Sequence, residues 1–310
     1  MLKNNLVNEV KFINMDVGKD RIKFRKYKSQ LGFTSEYEMI RKMLIEVNEV
    51  NMTNTNFLWA RWEWAISLMY KIEGSLEHNG LWFEGDKLVA FATNEVSLGK
   101  ASFIVLPGYE FLKEDMLTYA REAFQKDGKF KVCIADNDHL MQKIAMNNRF
   151  IASQETEKTS AIEIGDNLTY TLPQGFKINS LSDGYDIANL NRCTFRGFDH
   201  GEEPDDEELN ELYQGPNFNK ALHTYVTAPN GDYVSYCGTW FDKETDYAYI
   251  EPVCTDPLYR KKGFAKAAVY EAIKRCGKLG AKKAYVISSQ QFYYNIDFYP
   301  VETYTWWYAV

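Results

Sequence analysis

The alternation of hydrophobic and polar positions predicts a first series of helices and strands in residues 35–164. Apolar residues at helical spacing predict helices over 35–50 and 58–72. The pair Gly85-Asp86 sits between two apolar runs and predicts a hairpin over 81–93. The same reasoning predicts helices over 114–126 and 140–147, and strands over 102–106, 129–135, 151–155 and 160–164.

A second series begins after a polar segment at 166–175, which contains Pro173 and Gly175. A hairpin is expected over 222–241, with its turn at Gly231-Asp232, and a helix over 264–279 should end at Gly280. The other predicted elements are helices over 185–196, 205–213 and 290–295, and strands over 176–181, 247–255, 284–288 and 303–310.

The two series share their order: helices, a hairpin, a strand, a helix, a strand, a short helix and a final strand. This internal repetition predicts two tandem domains, 1–165 and 166–310. The length of 310 residues suits two domains of ordinary size.

Composition excludes several classes of function. The net charge of −7 disfavours a nucleic-acid or anionic-membrane partner. The five cysteines are scattered and the four histidines lie far apart, so we expect reduced thiols and no metal site. The sequence begins without the apolar core of a signal peptide and has no apolar run long enough to span a membrane. A cytoplasmic protein is therefore expected.

The stretch 250–265 reads as the end of a strand, a short basic loop and the first turn of a helix. A helix N-terminus carries unpaired N–H groups and partial positive charge. Gly263 lets a ligand approach the backbone, and three consecutive cations, Arg260 to Lys262, add charge at the same point. This combination suits a diphosphate.

The pattern Arg260-x-x-Gly263-x-Ala265 resembles the acyl-CoA pyrophosphate loop of the GCN5-related N-acetyltransferases (GNAT). The resemblance covers 172–310 well and 1–165 only loosely. It implies an α/β fold of the mixed α+β kind, with two GNAT-like domains whose sheets are mostly antiparallel. The C-terminal sheet should splay between its fourth and fifth strands. At the corresponding place the first half has Glu110 and Glu114, which would repel a diphosphate. We therefore expect a degenerate N-terminal copy.

The resemblance implies acetyl-CoA as co-substrate. The diphosphate should bind the loop amides from Lys261 to Ala265, beside Arg260. Pro252 interrupts a strand and predicts a bulge or break there. The amides that follow it are expected to hold the pantetheine arm and the acetyl carbonyl. The full set of residues predicted to bind the co-substrate is Val253, Cys254, Thr255, Arg260, Lys261, Lys262, Gly263, Phe264 and Ala265.

Two residues are candidates for proton transfer. Glu251 precedes the break on the strand face that carries Tyr249, and is predicted to be a general base; its alternative role is to bind a cationic substrate. Tyr293 matches the family tyrosine that protonates the CoA thiolate, with Tyr294 as the fallback, although Asp297 replaces the usual glycine. Cys254 is interpreted as a packed thiol, because no histidine lies near it in the sequence.

These residues predict an acetyl-CoA-dependent N-acetyltransferase that acetylates a primary amine of a small molecule by direct attack. The alternatives are a non-catalytic acyl-CoA-binding or regulatory protein, and acetylation of a protein or peptide amine. The acidic stretch 200–208 either attracts the amine or is a solvated loop. The cluster Trp59, Trp62 and Trp64 either lines the substrate site or packs at a domain interface. A monomer or a homodimer is expected.

Overall fold

The computed structural model describes residues 20–49, 52–69, 76–201 and 215–310. Its strands are β1 (Ile22–Lys26), β2 (Gly80–Glu84), β3 (Lys87–Thr93), β4 (Lys100–Val105), β5 (Lys131–Ala135), β6 (Phe150–Glu163), β7 (Lys177–Ser180), β8 (Thr224–Thr227), β9 (Tyr233–Phe241), β10 (Tyr247–Thr255), β11 (Lys283–Ile287) and β12 (Tyr299–Ala309). Its helices are α1 (Ser35–Glu46), α2 (Trp59–Met69), α3 (Lys113–Ala123), α4 (His139–Asn147), α5 (Ile187–Gly197), α6 (Phe264–Leu279) and α7 (Gln291–Tyr294).

Most predicted elements are present, and the differences concern strands. Strand β1 has no counterpart among the predicted elements. The separate strands predicted over 151–155 and 160–164 are one continuous strand, β6. Strand β12 begins at Tyr299, earlier than the predicted start at residue 303. The helix predicted over 205–213 lies outside the described residues.

The twelve strands form one continuous mixed sheet in the order β1-β2-β3-β4-β5-β12-β6-β11-β10-β9-β8-β7. Each half contributes five strands to one end, and β6 and β12 lie in the middle. Most neighbours are antiparallel, and the pairs β4/β5 and β10/β11 are parallel. This is the mixed sheet with flanking helices that the resemblance implied, in two similar halves.

The two central strands are exchanged between the halves. Strand β6 precedes the predicted boundary at residue 165, yet it pairs with β11 of the second half, for example Glu163 with Lys283. Strand β12 is the last strand of the chain, yet it pairs with β5 of the first half, for example Tyr304 with Ala135. The segment 166–175 still separates β6 from β7 in sequence. The domain boundary there stays a prediction, and it does not coincide with any division of the sheet.

The two faces of the second half of the sheet are covered by different parts of the chain. Helix α6 packs on one face, against Ala248 and Ile250 of β10. On the opposite face, Tyr247 and Tyr249 join a large core with residues of the first half. Helix α2 of the first half contacts β10 on this side. The second half therefore buries one face of its sheet against the first half.

Candidate active site

A tight turn and the start of α6 build the phosphate loop, residues 260–265. The Asp256 carboxylate accepts the Leu258 N–H at 2.9 Å and fixes the turn before the loop. Gly263 has φ 86°, a left-handed conformation that favours glycine, and the space beside its Cα is open. The first hydrogen bond of α6 runs from the Ala267 N–H to Gly263 O, at 3.0 Å. The N–H groups that precede it in the helix have no hydrogen-bond partner among the described residues, so they are available to a ligand.

Strand β10 breaks where Pro252 predicted it. Its pairing with β9 shifts register between Ile250 and Val253, and the Glu251–Pro252 peptide bond is cis. Its parallel pairing with β11 runs only from Tyr247 to Tyr249, although β10 continues to residue 255. The sheet is thus splayed between β10 and β11, as the resemblance implied.

A cleft of about 790 Å³ lies beside the open end of β10. It is lined by most of the residues predicted to bind the co-substrate, together with the candidate acid: Val253, Cys254, Thr255, Arg260, Lys261, Gly263, Phe264, Ala265 and Tyr293. Sequence reasoning did not assign Gln290, Phe292 or Asn295, which also line it. The free amides, the open space at Gly263 and the lysines Lys261 and Lys266 fit the phosphates of CoA.

Three of the predicted residues use their side chains elsewhere, although Arg260 and Cys254 also line the cleft. The guanidinium of Arg260 lies at the rim, where it donates to Gly197 O at 2.9 Å and to Asp199 Oδ1 at 3.0 Å. Lys262 does not line the cleft, because its Nζ donates to Leu258 O at 3.1 Å. The Cys254 thiol is buried and donates weakly to Cys193 O, at 3.8 Å. The assigned roles of Arg260, Lys262 and Cys254 stay predictions.

The Tyr293 side chain is only 6% exposed and packs between the rings of Phe292 and Phe298. Burial raises the pKa of its phenol well above the ordinary value, so the phenol keeps its proton. Asp297, which replaces the family glycine, adopts φ 66°. The backbone of this turn therefore has the left-handed conformation that a glycine would supply.

Glu251 lies outside the lining of the cleft, on the face of β10 that carries Tyr249. The Tyr249 hydroxyl donates to Glu251 Oε2 at 3.4 Å. Burial raises the pKa of the Glu251 carboxyl to about 7, and the positive charge of Arg61 opposes that rise. The negative charge of Glu95 also raises the pKa of the Glu251 carboxyl. Two of these charges, Arg61 and Glu95, come from the first half of the chain.

Sequence reasoning did not find this contribution of the first half. The available signal was the W-A-R-W-E-W stretch, which places Arg61 and Glu63 in an otherwise apolar helix. Charged residues are rarely buried unless they are paired, so a buried helix with Arg61 and Glu63 would have indicated specific partners for both. Trp59 and Trp62 are buried in the core of the first half, whereas the ring of Trp64 contacts Trp240 of the second half.

The first half has a similar splay but a blocked loop. Strands β4 and β5 pair only at Lys100–Lys131 and Ala101–Val132. A separate cleft lies where these two strands part, and its volume is about 210 Å³. The Glu110 carboxylate accepts the Gly108 N–H at 3.0 Å, so it takes a loop amide that a phosphate would need.

Within 20–49, 52–69, 76–201 and 215–310, no group of three or more His, Cys, Asp or Glu residues is arranged to hold a metal ion. In these same segments, no helix has the length and apolar character needed to cross a membrane.

A family model matches part of this sequence, and solved structures share its fold. Residues 185–300 match the model of the acetyltransferase (GNAT) family. No curated protein matches the sequence. A GNAT-family acetyltransferase from Colwellia psychrerythraea has 12% identity and a TM-score of 0.60, over 93% of this chain and all of its own (100%). A GCN5-related N-acetyltransferase from Sphaerobacter thermophilus has 13% identity and a TM-score of 0.59, over 93% and 95% of the two chains.

A tandem GNAT protein from the clavulanic acid biosynthesis pathway has 10% identity and a TM-score of 0.59, over 93% of this chain and 98% of its own. At such identities the likeness shows the fold, and the family model identifies the C-terminal part. This chain therefore contains a GNAT-family acetyltransferase domain at residues 185–300, within a fold of two GNAT-like halves.

Proposed function

We propose that this protein is an acetyl-CoA-dependent N-acetyltransferase that acetylates a primary amine of a small molecule by direct attack. One observation carries the proposal: the phosphate loop, the open end of β10 and the Tyr293 phenol all line the same cleft. The GNAT fold supports acyl-CoA-dependent acyl transfer in general, and the finer assignment rests on these residues.

The end of β10 is suited to holding the acyl group. Because β10 and β11 part after Tyr249, the edge of β10 that faces β11 has no strand partner near Val253 to Thr255. Alternate amides on that edge are available to the pantetheine arm and to the acetyl oxygen. Negative charge develops on that oxygen during attack, so a fixed N–H donor stabilises the transition state more than the bound substrate.

Proton transfer would use Glu251 and Tyr293. A free alkylamine is mostly protonated near neutral pH, and Glu251, directly or through a water, accepts that proton before the nitrogen attacks. The new bond joins the nitrogen to the acetyl carbon, and the carbon–sulfur bond breaks. The Tyr293 phenol then donates its proton to the leaving sulfur. The attacking nitrogen loses its second proton, which restores the phenol, and Glu251 releases the first proton to solvent. A carboxyl with a pKa of about 7 is matched to this task near neutrality.

The alternative of a non-catalytic acyl-CoA-binding protein is favoured by one observation. Glu251 does not line the cleft that holds the phosphate loop and Tyr293. A protein that binds acyl-CoA without turnover would need the phosphate loop but not Glu251.

A thiol-release assay with acetyl-CoA and a panel of amines distinguishes the two functions. The panel should contain monoamines, diamines, aminosugars, amino acid amides and lysine peptides. We expect at least one small amine to accelerate CoA release above the rate of hydrolysis. If calorimetry detects acetyl-CoA binding but no amine gives turnover, the non-catalytic function is correct. Absence of binding would contradict both.

The Tyr293→Phe variant tests the proposed acid. We expect kcat to fall by about 10²-fold with little change in CoA affinity, because the phenyl ring keeps the packing and lacks only the hydroxyl that carries the proton. Tyr294→Phe is the matched control, since Tyr294 does not line the cleft. Full kcat of Tyr293→Phe across the pH range would remove this role.

A further inference from the structure

Helix α2 of the first half lies against β10. Three of its residues, Arg61, Glu63 and Trp64, are linked to Glu251: Arg61 through its charge, Trp64 through the Trp240 ring, and Glu63 through the loop 217–218 that packs on the same ring. They belong to the W-A-R-W-E-W stretch, whose function the proposed reaction leaves unexplained.

Glu63 anchors a loop of the second half. Its side chain has 0% exposure, and its carboxylate accepts the Asn217 N–H at 2.8 Å and the Asn217 side-chain amide at 2.6 Å. The Tyr37 hydroxyl donates to Glu63 Oε2, the oxygen that also accepts the Asn217 side-chain amide. A Cβ at Gly215 would collide with the Glu63 carboxylate, so the loop approaches α2 as closely as the backbone allows. Residues 215–218 are thus fastened to the first half.

This loop and α2 together hold Trp240. The Phe218 ring, next to Asn217, lies 6.1 Å from the Trp240 ring, and the Trp64 ring lies 6.4 Å from it. Trp240 is buried, and its indole Nε1 donates to the backbone oxygen of Glu251 at 2.8 Å. Trp64 of the first half and Phe218 of the second half therefore pack against the indole, and the indole bonds the carbonyl of Glu251 at the break in β10.

Arg61 supplies fixed charge beside Glu251. Its Nε and Nη2 donate to the two oxygens of Glu95 at 2.6 and 3.0 Å, and its Nη1 donates to Glu157 Oε2 at 3.2 Å. A guanidinium held on three sides cannot turn away, so its field on the Glu251 carboxyl is constant. Ionisable groups whose charges interact with the Glu251 carboxyl come from five elements or loops: Arg61, Glu95, Cys237, Tyr249 and Tyr293.

We propose that α2 is a positioning element of the active site, in which Glu63 and Trp64 fix the backbone at Glu251 and Arg61 fixes the electrostatic environment of its carboxylate. The proposal rests on the proposed function, because it assumes that Glu251 is the base. These three are positioning residues, which act through other groups and touch neither substrate. The first half then belongs to the catalytic unit although its own phosphate loop is blocked.

The test compares Trp64→Leu with Trp62→Leu in the full chain. Both remove an indole from α2, but Trp62 contacts Tyr27 and Phe91 within the first half. We expect Trp64→Leu to lower kcat at least about tenfold with CoA affinity unchanged within about twofold, and Trp62→Leu to reduce stability without this selective loss. Equal kcat losses in the two variants, at similar stability, would overturn the positioning role of Trp64.

Arg61 is tested through the ionisation of Glu251, followed by NMR of the ¹³C-labelled carboxyl and assigned with Glu251→Gln. We expect Arg61→Gln to raise the pKa of Glu251 by roughly one pH unit, since a nearby opposite charge is lost, and Arg61→Lys to restore it in part. An unchanged pKa in folded Arg61→Gln would overturn the electrostatic part.

The NMR readout needs no turnover, so the two proposals can fail separately. A shifted pKa together with no activity toward any amine would contradict the proposed function and support the electrostatic role of Arg61 on Glu251. If the protein acetylates an amine, while Trp64→Leu keeps its kcat and Arg61→Gln keeps the pKa of Glu251, the inference is overturned and the proposed function stands.

Discussion

At the scale of single residues, Glu251 and Gly263 illustrate two kinds of dependence on the fold. Gly263 acts through its backbone, which the loop and the start of α6 determine locally. Glu251 acts through its carboxyl, whose ionisation depends on burial and on charges from the other half of the chain. Each residue leads to a separate prediction.

The pH dependence of kcat/KM should report the pKa of Glu251. A base must be deprotonated to work, so activity should rise with pH and level off above about 7, the pKa to which burial raises the carboxyl. In Glu251→Gln this acid limb should disappear, and kcat/KM at high pH should fall by about 10²-fold or more.

The control for this measurement is Glu244→Gln, which removes a carboxylate that is more than half exposed, at 58%. Its pH profile should match that of the unaltered protein. An acid limb that persists in Glu251→Gln would assign the base to another group.

Replacing Gly263 by valine should abolish or strongly weaken CoA binding. A β-branched residue at φ 86° carries strain of about 1–3 kcal/mol, and relieving it moves the loop amides. Gly231→Val is a matched control, since Gly231 has φ 95° and open space around it, at a hairpin tip. Isothermal calorimetry should show reduced affinity only for Gly263→Val. Unchanged CoA affinity in that variant would contradict the loop assignment.

At the scale of elements, the two strand–loop–helix units differ in what fills the loop. After β10, the loop presents free amides and lysines to a cleft of about 790 Å³. After β4, Glu110 occupies a loop amide, and Lys113 at the start of α3 forms an ion pair with Asp138 at 2.6 Å. The two loops therefore share a backbone arrangement, but the loop after β10 favours an anion and the loop after β4 disfavours one.

We therefore predict one CoA bound per chain. Calorimetric titration should give a stoichiometry near one, and Glu110→Ala should not add a second site, because the cleft beside it measures only about 210 Å³. Gly263→Val should remove the binding signal altogether if the second half holds the only CoA. A stoichiometry near two in the unaltered protein would show that the first half also binds.

At the scale of the whole molecule, the exchanged strands β6 and β12 make the halves depend on each other. Strand β6 lies between β12 and β11, so it completes the sheet of the second half. Strand β12 lies between β5 and β6 and completes the sheet of the first. The aromatic residues Trp240, Tyr249 and Tyr285 then pack into the core of the first half.

A fragment of residues 166–310 should fail to fold. Without β6, β11 becomes an unpaired edge, and β12 loses both of its neighbours. We expect aggregation or weak circular dichroism, and no CoA binding. The control is the full chain cleaved by a protease site inserted in the 166–175 segment, which should stay associated and bind CoA because every strand is retained. A soluble fragment that binds CoA normally would contradict this interdependence.

Local chemistry determined much of the fold and of the candidate site. Helix α6 begins after Gly263 and ends at Gly280, and both glycines adopt positive φ, because the backbone at each point needs a conformation that other residues resist. The hairpin at Gly85 follows from turn chemistry. Pro252 interrupts β10 since it has no N–H for the ladder. Each signal lies within a few residues of the feature it predicts.

Tertiary structure decided the features that depend on residues far apart in the chain. Polar residues in the middle of β6 suggested two short strands, but pairing with β11 and β12 along its two edges stabilises one long strand. The exchange of β12 left no local pattern, and the W-A-R-W-E-W stretch indicates a paired Arg61 without indicating that its charge acts on Glu251. The spacing of apolar residues along the chain predicts which face of an element a side chain occupies. Its partner across a sheet or an interface is determined only when the chain folds.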